Sequence, residues 1–491
     1  MSTKRKLLVA LAVFLLVLGG LFVFIWRGVP AEHTLDELSG KDPVLAEPKK
    51  ESIPSVAIAK PIGWAAGEAP QAAKGLVVTR FAEGLEHPRV IYTLPNGDII
   101  AAEADAPEAS KGGGLMGMIA EWLMNRAGAR GKSPDRLVLL RDSDGDGKAE
   151  GRFTLREGNG LASPSGLGWA NDTLYVANHD AVLAFAYKLG ETSLTGEAKK
   201  VMDLPAAGNH WMRNLLLSPD GKKLYVAVGS ASNIGENGME IEKGRAAIWE
   251  KDLTSDGYGR QYANGLRNPN GLAWNPSTGE LWTTVNERDM LGPDLVPDYL
   301  TNVPVGAHYG WPWVYWKKYD DERVVALAPD YFDDFVRKPE YALGAHVAPL
   351  GLAFVYGGER MGPDFANGAF IARHGSWNRK PLSGYDVVFV KFDANGNPLG
   401  LPLPVLGGFL TGDGTTRGRP TWVSFAKDGA LLVSDDTAGI IWRVIAPDAK
   451  PAAPVRPVIT GHMPPQRTLN SDPEAQFRAK IKADDETIRQ Q

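Results

Sequence analysis

The chain has 491 residues, 44% of them hydrophobic, with 56 Gly, 35 Pro and no Cys. That is enough apolar material for a sizeable core, and a formal net charge of −5 argues against a general nucleic-acid binder, which carries a basic surface. The missing Cys excludes disulfides, covalent c-type haem attachment, thiolate zinc sites and Cys nucleophiles.

At the N-terminus, Lys4, Arg5 and Lys6 precede an uncharged apolar run from Leu7 to Trp26. A helix of that length rises about 30 Å, the thickness of a bilayer hydrocarbon core. The basic flank belongs on the cytoplasmic side and sends the rest of the chain out. Residues 1–27 therefore read as a single-pass anchor in the inner membrane, with the remainder in the periplasm. A cleaved signal sequence is the alternative, although its apolar core would be shorter, about 7–15 residues. Residues 28–75 are rich in Pro, Ala, Lys and Glu, lack periodicity and read as an extended linker.

A repeat follows. RVIYTLPNGDIIAAE (89–103) is an apolar run, a turn and a second strand. GLGWANDTLYVAN (166–178), NLLLSPDGKKLYVAVG (214–229), NGLAWNPSTGELWTTVNE (270–287) and TWVSFAKDGALLVSDD (421–436) repeat the plan, with a looser copy from Leu350. The turns carry Gly, Asn or Asp where positive φ is needed. Most copies are followed by a further strand, such as AVLAFAY (181–187) or GIIWRVI (439–445). Six all-β, Gly-rich units over residues 76–446 predict a six-bladed β-propeller. A large β-sandwich would not explain six copies.

One insertion, GGGLMGMIAEWLMNRAGARG (112–131), has a helical Met- and Trp-rich centre too short to span a bilayer. It is expected over the propeller mouth, at the membrane surface or packed on the propeller side. The tail (447–491) is again Pro-rich, and Ser471 and Glu474 make a capping-box pattern that would start a short helix.

Candidate chemistry gathers in the loops that lead into the blades. His210, in GNHWMRNLLLSPDG, stands just before a first strand and is a candidate general base. Arg267 and Asn268, in GLRNPNGLAWNP, stand at the equivalent point before the next blade. Equivalent loops of successive blades lie side by side, so His210 and Arg267 are candidate neighbours. Arg373 and His374, then Arg417 and Arg419, come from later blades at similar points. Several Arg on one axis would form an anion receptor. The acidic, Pro-rich stretch 285–300 offers Glu287, Asp289, Asp294 and Asp298 as candidate Ca²⁺ contributors. Asp142, Asp144 and Asp146 resemble the start of an EF-hand loop, but position 12 is Phe153, so a solvated turn is the preferred reading over a Ca²⁺ site.

Taken together, GNHW, RNLLLSPDG, GLRNPNGLAWNP, the NERD–GPDL–PDYL–YGWP series, RHGSWNR and RGRPTWVSFAKDG resemble the sorbosone dehydrogenase branch of the soluble-type quinoprotein sugar dehydrogenases, over about Leu76 to Val444. The resemblance implies a propeller binding pyrroloquinoline quinone (PQQ) and Ca²⁺ that oxidises an aldose or related sugar. His210 matches the catalytic base and Arg267 the group that neutralises charge on the cofactor oxygen, with Asn268 beside it. Arg417 and Arg419 match a pair gripping the cofactor carboxylates. Arg373 lies where another basic ligand is expected, and His346 falls near a cofactor-contacting position. Glu287 to Met290, with Asp289 between them, match the loop whose backbone carbonyls hold Ca²⁺.

Two departures stand out: Ser230 occupies the place of an Asp that orients the His in glucose-oxidising members, and Ser163 lies near the place of a cofactor-contacting Gln. With no haem motif, electrons pass to a separate acceptor, a membrane quinone or a cytochrome. A Ca²⁺-dependent propeller lactonase and a non-catalytic binding module are the competing readings.

Overall fold

The computed structural model describes residues 29–51, 55–107, 133–206, 208–330, 332–412 and 414–458, together with Arg5. The expected N-terminal span, the helical insertion at 112–131 and the C-terminal capping box lie outside the described residues. Among the described residues, no helix is long and apolar enough to cross a membrane.

The described chain folds as the expected six-bladed propeller. Blade 1 is Pro88–Thr93, Ile99–Glu103, Arg136–Arg141 and Gly151–Glu157; blade 2 is Gly166–Ala170, Thr173–Ala177, Ala181–Ala186 and Lys199–Asp203. Blade 3 is Leu215–Leu217, Lys223–Val228, Ala247–Asp252 and Arg260–Asn264; blade 4 is Asn268–Trp274, Leu281–Asn286, Pro297–Asn302 and Tyr341–Ala345. Blade 5 is Pro349–Phe354, Gly368–Arg373, Asp386–Phe392 and Pro398–Gly407. Blade 6 takes Pro420–Phe425, Leu431–Asp435 and Ile440–Ile445 from the C-terminal side, and its outer strand, Val77–Ala82, from the N-terminal side. That pairing ties the N-terminal strand into the last blade and closes the ring.

Every pairing within a blade is antiparallel, so the short turns alternate between two faces. Asn171 and Asp172, at φ 50° and 55°, make a two-residue turn of the kind that matches strand twist. The core lies between blades: Val182 and Leu204 of blade 2 pack with Leu224, Val226 and Val228 of blade 3, and Trp282 and Leu300 of blade 4 pack with Ile371 and Val388 of blade 5.

The inner strands of all six blades line a channel, whose lower mouth opens as a cavity of about 690 Å³. They approach one another too closely for side chains at certain points. A Cβ on Gly166 would lie 2.3 Å from Arg213 O, one on Gly271 2.4 Å from Leu350 O, and one on Gly351 2.6 Å from Val423 N. The glycine in the repeated Gly-Leu-x-aromatic pattern is thus a spacing requirement between neighbouring blades.

Two segments do more than their composition suggests. Residues 29–51 and 55–75 are largely irregular, as a linker would be, but they are laid against blades 4 to 6. Ser39–Gly40 adds a fifth strand to blade 4, Gln71–Ala72 adds one to blade 5, and Lys60–Pro61 pairs in parallel with Thr415–Thr416. Residues 447–458 of the tail are pinned likewise, with Gly358 N donating to Ala452 O (2.8 Å) and Val455 N to Tyr356 O (3.0 Å). A chain without its own core gains order from backbone partners that another element leaves free.

Gly271→Ala is expected to destabilise the domain by about 1–3 kcal/mol through overpacking, measured as a drop in the thermal melting midpoint. Gly279→Ala, at a hairpin where no atom stands within 4 Å of the added Cβ, isolates the effect of its own positive φ.

Candidate active site

Each inner strand starts on the same face, here the top. The loops that lead into the inner strands and those joining second to third strands therefore all emerge there. His210, Arg267, Glu287, Asp289, Met290, His346, Ala348, His374 and Asp436 belong to these loops, and Asn268 opens the inner strand of blade 4. The cluster of Asp142, Asp144, Asp146 and Glu150 instead sits in an exposed turn of blade 1 between Arg141 and Gly151, on the lower face. Its carboxylates accept backbone amides of their own loop, such as Gly145 N to Asp142 Oδ1 at 2.8 Å.

His210 is held from both sides. Arg213 is fully buried and donates to the carbonyls of His210 (2.9 Å), Met212 (2.9 Å) and Pro205 (2.8 Å), which fixes the loop. The His210 ring points Nδ1 at Ser230 O (2.8 Å) and Ser230 Oγ (3.0 Å). Ser230 Oγ itself donates to Ser232 O at 2.7 Å, so both Ser230 oxygens act as acceptors. Nδ1 therefore carries the ring proton, and the lone pair is on Nε2. Ser230 thus orients the imidazole, chiefly through its backbone carbonyl. Burial, and then the charge of Arg267, push the His210 pKa down to about 3, so the ring is neutral at pH 7.

Arg267 comes from the next blade, as expected. Its backbone O accepts from Ser230 N at 2.8 Å. A Cβ on Gly229 would touch both Asn268 Oδ1 (2.4 Å) and His210 Cβ (2.6 Å), so a glycine lets the loops leading into blades 3 and 4 meet. The Arg267 guanidinium donates to Asn233 O (3.1 Å), Asn233 Oδ1 (2.8 Å), Glu287 O (2.5 Å) and Asp289 Oδ2 (2.8 Å). Asp289 also accepts from Asn378 Nδ2 at 2.8 Å and faces His346 Nδ1 at 3.6 Å. Burial opposes the charge on Asp289, yet Arg267 and His346 hold its carboxyl well below the usual range. Burial also opposes a charged His346, but Asp289 outweighs it and raises the ring pKa.

A second group lies across blades 5, 6 and 1. His374 Nε2 stands 3.0 Å from Asp436 Oδ2, and Arg89 of blade 1 pairs with the same oxygen. Arg89 also reaches Met212 Sδ (3.0 Å) and stacks over Trp211 at 5.6 Å. Arg419 donates to His374 O (3.0 Å) and Gly375 O (2.9 Å) and lies over Tyr385. Burial, then Arg419, push His374 down to about 4. Burial opposes ionisation of Asp436, but His374, Arg89 and Arg419 hold its carboxyl well below the usual range. The two groups are joined through the chain itself, by the His210–Met212 loop and the His374–Asn378 loop.

The remaining sequence candidates are placed differently. Arg373 is directed between blades 4 and 5, pairing with Asp386 and donating to Leu343 O (2.9 Å). Arg417 stands 3.4 Å from Glu68 of the N-terminal segment and over Trp64. Of the backbone oxygens in the predicted Ca²⁺ loop, Glu287 O accepts from Arg267, while Asp289 O and Met290 O both accept from Arg323 at 2.9 Å. Arg89, Asp436, Asn233, Asn378 and Arg323 escaped the sequence reading, because nothing in their local pattern marks them; they matter through partners on other blades.

Buried polar atoms are normally paired. Arg89 Nε, Asn178 Oδ1, His179 Nδ1, Asn286 Oδ1 and Asn378 Oδ1 are buried without a partner among the described residues, and they sit on top-face elements of blades 1, 2, 4 and 5. Orphaned groups on this face suit a polar ligand there. His210 Nε2 likewise has no partner among the described residues.

The family model described as TrAA12-like matches residues 139–300 and 331–446. A protein of Borreliella burgdorferi described as uncharacterized is 29% identical over 297 residues, covering 58% of this chain and 76% of that one. A protein of Hypocrea jecorina, the pyrroloquinoline quinone-dependent sugar dehydrogenase, is 24% identical over 425 residues, covering 76% of this chain and 89% of that one. The calcium structure of a Trichoderma reesei Carbohydrate-Active Enzymes Family AA12 protein superposes with a TM-score of 0.61 at 22% identity, covering 77% of this chain and 96% of that one. That likeness is one of fold.

Arg373→Ala is expected to cost about 3 kcal/mol, as loss of one partner of a mostly buried ion pair does, and to leave ligand affinity at the top face unchanged. His374→Ala is expected to do the reverse. Thermal melting and ligand titration on both variants separate the two roles.

Proposed function

The chain belongs to the TrAA12-like family, and on that premise we propose that it is a quinoprotein sugar dehydrogenase that oxidises an aldose or related sugar with PQQ and Ca²⁺. The observation that carries the reading is His210. It is a neutral imidazole with its tautomer set by Ser230, its Nε2 unpartnered, and the Arg267 charge beside it.

The residues present fit both groups. The carboxylates of PQQ require cations, and Arg89, Arg267 and Arg419 are brought to the top face from blades 1, 4 and 6. Asn286 Oδ1 and Asn378 Oδ1, buried and unpaired among the described residues, are hard oxygen donors of the kind Ca²⁺ takes, and the Asp289 carboxylate is beside Asn378. When bound, PQQ would supply the two-electron acceptor for the sugar C1 hydride, and Ca²⁺ would supply positive charge.

The chain's own work is proton handling and charge placement. His210 Nε2 takes the proton of the C1 hydroxyl as the hydride departs, so an aldose leaves as its lactone. Arg267 holds fixed positive charge where negative charge develops, and its own partners keep it from reorganising during the reaction. Asn233 and Asp289 set that guanidinium, and Arg213 sets the loop that carries the base.

Within the family we place the chain in the sorbosone dehydrogenase-like branch, on GLRNPNGLAWNP and the NERD–GPDL–PDYL series. We also propose that Leu7–Trp26 anchors it in the inner membrane with the propeller in the periplasm. A membrane quinone or a cytochrome then takes the electrons, since the chain has no Cys to hold a c-type haem. A propeller lactonase needs carboxylates and Ca²⁺ but no arginine set, and Arg89, Arg267 and Arg419 on the top face favour the dehydrogenase.

Purified protein reconstituted with PQQ and Ca²⁺ should reduce a dye acceptor with some member of a sugar panel; absence of PQQ binding would sink the reading. His210→Ala should lower kcat by about 10²–10⁴-fold and leave PQQ affinity within a few-fold of the parent. The low pKa of His210 also has a sign. The base form is present at every pH above about 3, so kcat/KM should stay level from pH 8 down to pH 5. A fall centred near 6.5 would show an ordinary, solvated imidazole instead.

A further inference from the structure

Arg323 belongs to the long connection between the third and fourth strands of blade 4 and to no reading of the motifs. Its Nε donates to Asp321 Oδ1 (2.8 Å) and its Nη2 to Asp321 Oδ2 (2.7 Å), a two-point pairing. Nη1 carries two N–H bonds, and they go to Asp289 O and Met290 O, each 2.9 Å away. Four of the five donors of the guanidinium are thereby placed in one plane. Asp321 is itself anchored by Arg288, which is fully buried, touches Glu287 at 3.0 Å and donates to Pro312 O (2.7 Å) and Val314 O (3.0 Å). Met290 sits at φ 69°, a left-handed conformation that costs a Met free energy and persists only where the surroundings over-determine it. The same loop presents the Asp289 carboxylate to Arg267.

We propose that Arg323 is a built-in cation for the 287–290 loop: it holds the two backbone carbonyls together and, through Asp289, sets Arg267, so that the loop keeps its shape without a metal ion. Its consequence for catalysis rests on the quinoprotein reading, whereas its consequence for loop order does not. Arg323 is a positioning residue. It reaches the site only through Asp289. A Lys could supply the charge but not the planar fork that serves Asp321 and two carbonyls at once.

The test uses the full chain and two independent readouts. In the parent protein, amide hydrogen exchange of residues 287–291 should be the same in excess Ca²⁺ and in excess EDTA. Arg323→Gln should raise that exchange by about tenfold or more, because Asp289 O and Met290 O lose the charged donor that bridges them and keep only Asn233 Nδ2 (3.1 Å) and Glu51 N (3.2 Å), and added Ca²⁺ should restore part of the protection. Arg323→Lys should fall between the two. In PQQ titrations, Arg323→Gln should weaken binding about tenfold, with thermal melting confirming that the propeller is intact. If EDTA alone raises exchange of 287–291 tenfold in the parent, the loop is metal-built and the proposal fails, whatever the variants do. If the Gln variant is folded and matches the parent in exchange, it fails as well. If the parent binds no PQQ, the enzyme reading fails while the exchange result still decides the loop.

Discussion

Closing the ring is the constraint on which the rest depends. Blade 6 is incomplete without Val77–Ala82, which pairs along Ile440–Ile445. Once closed, six inner strands share one channel, and their backbones come within contact distance of each other. Gly166, Gly271 and Gly351 stand where a Cβ would strike the neighbouring blade. The large apolar residues cannot pack at the axis, so they pack between blades, where Trp282, Phe370, Phe389 and Trp442 are fully buried. The same closure delivers loops of all six blades to one face. The site follows from the architecture, since a ring places side by side what the chain keeps far apart.

The chemistry at that face rests on charges that are buried and answered. Arg267 is 5% exposed and Arg213, Arg288 and Asp321 are almost completely enclosed. A buried charge without a partner is costly, and each of these has several. The arginines differ in what they hold. Arg213 holds backbone carbonyls alone, while Arg267, Arg288 and Arg323 each join backbone carbonyls to a carboxylate and so brace irregular loops. Arg89 pairs with the Asp436 carboxylate at the mouth, and its Nε is unused among the described residues. His210 gains its character from the same setting: burial and a neighbouring guanidinium disfavour its protonated form, which leaves a neutral base whose other nitrogen is tied to Ser230.

Much of this was legible in the residues. The repeat of strand, tight turn and strand has a period that only β-structure supports, and its Gly, Asn and Asp turns state where the chain reverses. Equivalent positions before successive first strands predicted that His210 and the Arg267–Asn268 pair would be neighbours, and His210 and Asn268 meet across Gly229. The quoted motifs also carried the family. The stretch 28–75 was legible as a linker, but the pairing of Ser39–Gly40, Lys60–Pro61 and Gln71–Ala72 was not, because backbone pairing to a sheet edge leaves no side-chain pattern.

What the sequence by itself determined was the number of blades, the shared face of the loops that precede them and the placing of His210 and Arg267 on that face. These depend on local turn chemistry and on periodicity, and both are written residue by residue. Tertiary structure decided which arginine does what. Arg373 and His374 are adjacent in the chain, yet one is directed between blades 4 and 5 to Asp386 and the other to Asp436, because successive residues at a strand end face opposite sides. It also decided that Ser230 orients the His210 ring through its carbonyl, and that Arg323, 33 residues beyond Met290, braces the loop under Arg267. A hydrogen bond between a side chain and a distant backbone oxygen depends on where the folded chain passes, and no local pattern records that.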